Sequence, residues 1–376
     1  MIRIIKPFLV LLIISTILSC KEKEFWMVDS EAGKIKLELV ADSITMPFAM
    51  EFLPDGRMIV SNRPAGEMIL IDVSSGEKIY VRGVPPVINK GDGGLLDIKP
   101  DPDFANNHKI FFDYSFQDEH GFSLAVETAQ IEGDSLINRK RIFQARPYFD
   151  QPSFYGSRLL LQDDKIFITT GVDYSKQDSS QTLSNHLGKI LRIGQDGSIP
   201  ADNPFVNTPG ALPEIWCYGT RNPQGLKFNP FTGELWENEH GPKGGDEINI
   251  IKPGKNYGWP VITYGIDYDD KPIGAGITEK EGMEQPVYYY VPSIAPSGMV
   301  FYTGERYPQW KGNLFIGGMK LTHLNRTVLE NGKVTHEERI MEELKWRVRN
   351  IAQGPDGYLY VGVDGGRILK LIPVDK

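Results

Sequence analysis

The densest collection of polar side chains on a glycine-rich backbone lies between Trp216 and Gly265. Arg221, Asn222 and Gln224 follow the strand-like segment EIWCYGT in a turn set by Pro223 and Gly225. His240, Gly241 and Pro242 form a second turn, and the acidic pair Asp246–Glu247 comes next. Further on, Lys320 closes the apolar run GNLFIGGMK, and Arg347 and Arg349 stand two apart in LKWRVRN. Residues two apart on a strand share a face, so both guanidinium groups point the same way. Arginine forks match carboxylates bidentately. Carbonyls presented on a turn such as Gly241–Pro242 suit a hard cation, which takes oxygen ligands. The set is rich in Arg and Lys, so it suits an anionic ligand better than a carboxylate-lined metal centre. Each feature also has a plainer reading. Asn-Pro is a common turn former, Lys320 alone is an ordinary strand-end lysine, and His240 reads as a turn residue. Asp246–Glu247 either holds a structural calcium or caps the following strand.

These residues are far apart in sequence, so the fold must bring them together. One pattern recurs: a turn with Asp, Gly or Asn, then a short apolar or β-branched run, then a polar turn. It appears in FLPDGRMIVSN (52–62), PDFANNHKIFFDYS (102–115), LLLQDDKIFITTG (159–171), FNPFTGELWENEHG (228–241), YPQWKGNLFIGGM (307–319) and GPDGYLYVGVDGG (354–366). A second strand pattern follows each one. Gly 39 and Pro 26 favour many turns and short strands over long helices. The best helix candidate is HEERIMEELK (336–345), which is short. Repeats with uneven spacing fit an all-β, six-bladed β-propeller, because a propeller sends insertions into its loops. A two-domain β-sandwich is the competing architecture. In a propeller, loops at one end of the central channel form a funnel where residues from different blades meet.

The N-terminus reads as a targeting segment. Arg3 and Lys6 precede an apolar run, Phe8–Leu18, that is short for a membrane span. Ser19-Cys20 follows, in the manner of a bacterial lipoprotein signal, with Cys20 as the lipidated residue. The expected organisation is a signal peptide over 1–19, a tether over 20–34 with folding starting near Trp26 or Ile35, and a propeller over 35–376. Lipidation would attach the chain to the cell envelope, at the periplasmic face or the outer surface. Losing Arg3 and Lys6 takes the net charge from -8 to -8 - 2 = -10. That balance argues against nucleic acid as a partner. Cys217, the only other cysteine, reads as a buried small hydrophobe.

Several segments together resemble the soluble sugar dehydrogenases that use pyrroloquinoline quinone (PQQ) and calcium, the glucose/sorbosone and aldose sugar dehydrogenase group. They are GDGGLLDIKPDPDF (91–104), LGKILRI (187–193), residues 221–260, PSGMVFYTG (296–304), GNLFIGGMK (312–320) and 347–371. The resemblance implies that Lys320, Arg347 and Arg349 anchor the cofactor's carboxylates. It implies that Arg221 and Asn222 contact the quinone oxygens while Gln224 helps build the site. It also implies that the backbone carbonyls of Gly241 and Pro242 carry the calcium, which would polarise the quinone carbonyl as a Lewis acid. An Arg at position 221 would stabilise negative charge arriving with hydride.

The chain departs from that pattern where it matters most. The family's proton-abstracting His corresponds here to Phe154, in FYGSRL (154–159), and phenylalanine accepts no proton. A lost general base costs roughly 100- to 10,000-fold. Asn350 stands where an Asp is common, and Asp92 where a Gln or Glu is common. Asp173 and Tyr155 are candidate substitute bases, each also readable as an ordinary loop position.

Three functions follow as expectations. The first is oxidation of an aldose, with hydride passing from sugar C1 to PQQ and on to an unspecified electron acceptor. The second is a non-catalytic, lipid-anchored propeller that binds PQQ or a carbohydrate. The third is a calcium-dependent lactonase-type hydrolase.

Overall fold

The computed structural model describes residues 23–151, 154–172 and 174–374. The chain forms six antiparallel sheets arranged in a ring. Five blades are continuous in sequence: blade one runs over 47–80, blade two over 95–144, blade three over 159–218, blade four over 223–290 and blade five over 296–340. Blade six closes the ring with both ends of the chain. Its strands lie in the order Phe25–Ser30, Gly33–Ile44, Gly366–Pro373, Leu359–Val363 and Val348–Gln353. The all-β propeller expected from the repeats is therefore present, and the sandwich alternative is not. Each repeating motif marks the same element: the turn leaving a blade's inner strand and the second strand after it.

One helix candidate falls away and one boundary moves. Residues 336–345 form no α-helix. Lys333–Ile340 is the outer strand of blade five, paired with His323–Glu330, and only Glu342–Leu344 makes a 3-10 turn. Alternation of Val334, His336 and Glu338 with their neighbours serves a half-exposed edge strand as well as it would a helix. The segment expected as a tether contains Phe25–Ser30, a strand, so the folded region begins at the Trp26 end of the expected range. Trp26 meets Trp346 edge-on at 5.0 Å, with the Arg367 guanidinium against both rings. Cys20 and the leader lie outside the described residues, as does Asp173. Among the described residues no helix is long and apolar enough to cross a membrane.

Large apolar side chains fill the space between blades. Trp236 of blade four packs edge-on against Phe301 of blade five at 5.6 Å, and Trp236 is fully buried. Phe48, Leu96, Phe111, Leu159 and Ile168 form a comparable cluster across blades one to three. Each such side chain contributes about 1.5–3 kcal/mol by leaving water. Cys217 is buried and unpaired, and burial raises its thiol pKa well above the usual value.

Register fixes which residues share a face of the ring. The start of each inner strand pairs with the end of the next: Pro47 with Asn62, Pro223 with Glu239, Pro296 with Gly318, Val348 with Val363. The inner strands also carry irregularities near that start, between Pro47 and Met50, Leu95 and Ile98, Pro223 and Gly225, Pro296 and Met299, and Val348 and Asn350. A bulge there re-aims the side chains at the mouth of the channel.

Candidate active site

That shared face collects most of the sequence-predicted residues. Arg221 and Asn222 lead into the inner strand of blade four, and His240 and Gly241 follow its second strand. Lys320 follows the second strand of blade five. Arg347 and Arg349 flank the start of the inner strand of blade six. Together they line a bowl over the channel.

The two anchor arginines converge, although not as free cations. Arg349 is buried and grips Asp364 with two hydrogen bonds, Nε to Oδ1 at 2.9 Å and Nη2 to Oδ2 at 2.6 Å. Arg347 donates Nε to Asp364 Oδ2 at 3.1 Å and Nη1 to the Met319 carbonyl at 3.2 Å. Burial would raise the pKa of Asp364, but the Arg349 and Arg347 contacts hold it below the usual carboxylate range. Lys320 is exposed beside them, its ammonium without an ion pair among the described residues, and its backbone N–H donates to the Ile294 carbonyl at 2.9 Å.

Blade four supplies the opposite wall. The Arg221 side chain is buried, with its guanidinium 5.2 Å from the Phe154 ring and 5.1 Å from the Trp259 ring. Its Nη1 donates to the carbonyls of His240 at 3.0 Å and Gly241 at 3.2 Å. Glu239 accepts from the backbone N–H groups of Arg221 and Asn222, fixing this turn. Burial lowers the Arg221 pKa, opposed by Tyr268 and Glu239. Gln224 donates to the Asn222 side-chain oxygen at 3.1 Å, and its backbone carbonyl accepts from Arg158 Nε at 2.6 Å. His240 is what the sequence suggested, a turn residue: its Nε2–H donates to the Pro296 carbonyl at 2.7 Å and ties blade four to blade five.

The bowl leaves hydrogen-bond donors unused. Arg63 Nε, Arg221 Nη2 and Asn222 Nδ2 are buried and have no hydrogen-bond partner. Buried polar groups are normally satisfied, so several orphaned donors around one concavity mark a place for an acceptor-rich ligand. A planar ortho-quinone bearing carboxylates fits this donor set. For calcium the Gly241–Pro242 turn offers backbone oxygens, and the Glu239 and Glu247 carboxylates line the same small cavity as Gly241. Gly241 O already accepts from Arg221, and Asp246 is spent on the backbone. Asp246 Oδ1 takes the Gly241 N–H, and Oδ2 takes Ser293 Oγ and the N–H groups of Ile294 and Ala295. So Asp246 caps the segment leading into blade five. Glu247 lies across the ladder from Glu239 in a buried acidic group.

Among the expected bases, Tyr155 fails. It is 2% exposed in the apolar cluster between blades, with its ring edge-on to Phe149 at 5.8 Å, and it cannot meet a substrate. The preceding residue faces the bowl instead: Phe154 is half-buried with its ring toward Arg221. Asn350 donates Nδ2 to the Phe48 carbonyl at 2.6 Å, a bond between the neighbouring blades six and one that a carboxylate could not donate.

Sequence reasoning missed Arg63 and Asp364. Both follow the second strand of their blade, at the same turn as His240 and Lys320, so superposing the six repeats would have found them. Burial and the neighbouring Arg349 press the Arg63 guanidinium down to about 10, against the pull of Asp92 and Asp364. Asp92 stands 3.9 Å from Arg63 Nη1.

The comparisons agree with the residues. The glucose/sorbosone dehydrogenase family profile matches residues 44–370. The aldose sugar dehydrogenase YliI of Escherichia coli is 38% identical over 364 residues, covering 95% of this chain and 97% of that protein. The apo crystal structure of the soluble E. coli aldose sugar dehydrogenase superposes with a TM-score of 0.86 at 38% identity, over 90% of this chain and 100% of that one. The PQQ-bound aldose sugar dehydrogenase of Streptomyces coelicolor gives a TM-score of 0.72 at 26% identity, over 90% of this chain and 97% of that one. With its propeller, its basic bowl and this likeness along nearly its whole length, the chain belongs to the glucose/sorbosone dehydrogenase family of PQQ-type sugar-oxidising enzymes.

Proposed function

We propose that this protein oxidises an aldose at C1 with PQQ and calcium bound in the bowl. The observation that carries the reading is the set of buried donors left unpartnered around one concavity, Arg63 Nε, Arg221 Nη2 and Asn222 Nδ2. When bound, PQQ supplies a two-electron acceptor for the hydride leaving sugar C1. The chain's own residues do the rest. Arg349, Arg347 and Lys320 hold carboxylates at one wall, with Asp364 fixing the two guanidinium groups in place. Arg221 and Asn222 present N–H donors where negative charge develops, in a buried setting that strengthens them. The Gly241 and Pro242 carbonyls are the protein's oxygen donors for calcium. Trp259 and Phe154 shield the Arg221 guanidinium from water.

A second reading, a binding propeller without catalysis, is favoured by one observation: the apolar ring of Phe154 occupies the base position. The lactonase-type reading has less support, since no group of three or more His, Cys, Asp or Glu able to hold a metal gathers among the described residues. The N-terminal sequence supports attachment through a lipid on Cys20, with the propeller at the cell envelope.

Titrating purified protein with PQQ and calcium tests the reading. A shift in quinone absorbance and a rise in melting temperature are expected, and the absence of both would overturn it. Reduction of bound quinone by an aldose then separates the enzyme from the binding propeller.

A further inference from the structure

Resting on the quinone-binding reading, the question is which group takes the proton that Phe154 cannot. Tyr155 is in the core, and the carboxylates around the bowl are mostly committed. Both oxygens of Asp364 are held by Arg349 and Arg347. Both oxygens of Asp246 are filled by Gly241, Ser293, Ile294 and Ala295. Glu239 lies in the wall and binds the Arg221 and Asn222 backbone. Asp92 differs from all of these. Its side chain is 38% exposed, it receives no hydrogen bond from the described residues, and its one ion pair, to Arg63, is long at 3.9 Å.

Asp92 also stands in the right company. It lies on the loop leading into blade two, and its charge reaches both Arg63 and His240, whose backbone carbonyl holds Arg221. Arg63 in turn lies within the field of Arg349 and Asp364. So Asp92 stands beside Arg63 at the rim, and its charge is felt at His240 of the wall that faces the quinone. Its loop is pinned rather than loose. Gly93 N–H donates to the Lys90 carbonyl at 3.0 Å and Gly94 N–H to Ser115 Oγ at 2.8 Å. At Gly94, with φ +138, any Cβ would collide with the Arg63 carbonyl, so the loop stays tight against Arg63.

We propose that Asp92 is the proton acceptor for the sugar's C1 hydroxyl, in place of a base at position 154. The O–H bond breaks and its proton passes to the Asp92 carboxylate. The C1–H bond breaks with its electron pair, a hydride for which the quinone, when bound, would be the two-electron acceptor. The C1–O bond becomes a double bond, giving a lactone, and the proton leaves Asp92 for solvent. Arg63 acts as a positioning residue, holding Asp92 at the rim.

The test uses full-length folded protein loaded with PQQ and calcium. Asp92→Asn should leave PQQ affinity and the cofactor-induced rise in melting temperature unchanged. It should slow single-turnover quinone reduction by an aldose by roughly 100- to 10,000-fold. Added formate should restore part of that rate, which a merely structural role would not allow. In a Phe154→His background the same Asp92→Asn change should cost far less, because a second base is present. The proposal is overturned if Asp92→Asn reduces its quinone at the wild-type rate. It is equally overturned if the loss resists formate and persists undiminished beside His at 154. Failure of the wild-type protein to bind PQQ at all would instead remove the quinone reading on which this one stands.

Discussion

The two ends of the central channel use the same kinds of charged residue and treat them differently. At the end away from the bowl, Lys99 pairs with Glu51 and stands 3.3 Å from Asp97, and Lys227 stands 3.6 Å from Glu51. Burial opposes ionisation of Glu51, but Lys227 and Lys99 hold its pKa at about 2. Arg158, between the two ends, donates Nη1 to the Phe48 carbonyl at 2.9 Å and lies 4.0 Å from the Phe48 ring. Two groups are out of step there: burial and the neighbouring Asp97 raise the Asp113 pKa well above the usual range, and Arg158 Nη2 has no hydrogen-bond partner. At the bowl the balance is tilted the other way, with Arg63, Arg221 and Asn222 holding donors in reserve. Matched charge locks the blades together, whereas unmatched donors cost stability and are kept for a ligand. A buried group left unpaired costs about 1–3 kcal/mol, so the bowl gives up stability in the free protein that a bound quinone returns.

This contrast can be broken or sharpened by mutation. The largest effect should come from Arg349→Ala, which takes two hydrogen bonds from the Asp364 carboxylate and leaves it Arg347 alone; breaking a buried pair from one side costs up to about 3–5 kcal/mol. Chemical denaturation should show that loss, and Arg349→Ala with Asp364→Ala should recover most of it without recovering PQQ binding. If the double variant binds PQQ as wild type does, the anchor role is wrong. At the matched end, Lys99→Met should cost about 2 kcal/mol from its lost charged hydrogen bonds, while PQQ affinity stays as it was. A fall in affinity there would erase the distinction between the two ends.

A pH experiment probes a third region, the buried acidic group of blade four. Burial and then Glu239 raise the Glu237 pKa well above the usual range, and the same causes raise Glu247 to about 8. Raised carboxyl groups take up protons on folding once pH exceeds their unfolded value, near 4.3, so stability falls as pH rises from there toward 8. In protein stripped of divalent metal, unfolding free energy should drop by up to about 1.4 kcal/mol per pH unit for each such proton. Glu237→Gln should flatten that slope, and a slope unchanged by the substitution would show that Glu237 is ionised in the fold. The smallest stability effect should be that of Asn222→Ala. Besides a donor with no partner it removes the oxygen that accepts from Gln224 Nε2, so stability should fall by about 1 kcal/mol, while PQQ binding weakens measurably in an absorbance titration.

Much of this architecture was legible in the sequence because its signals are local. A PDG or TGE turn followed by four or five apolar residues is a hairpin whatever lies around it, and six of them in series specify a ring. The inner and outer strands were harder to see. Leu159–Gln162 is short, and Lys333–Ile340 looks helical because an edge strand alternates less strictly. The convergence of Arg347 and Arg349 followed from their spacing. Their partner Asp364 did not, since a turn residue gives no sign of what it pairs with. Tyr155 misled for the opposite reason. Ser157 has φ +67 and Gly156 φ +66, and two left-handed residues reset which side of the chain faces the bowl. No period reveals that, so Tyr155, a candidate base in the sequence, lies in the core while Phe154 faces the bowl.

The closing sheet has a mechanical meaning as well as an architectural one. Gly33–Ile44 is zipped to Gly366–Pro373 along its length, from Ile35–Pro373 to Ile44–Gly366. Tension applied at the N-terminus meets the edge strand Phe25–Ser30, paired to Gly33–Ile44 from Phe25–Glu38 to Ser30–Gly33, before it reaches that ladder. The next two strands inward carry Asp364 and Arg349. Trimming either terminus thus attacks one seam, and the bowl's anchor is the first part of the ring that would lose its footing.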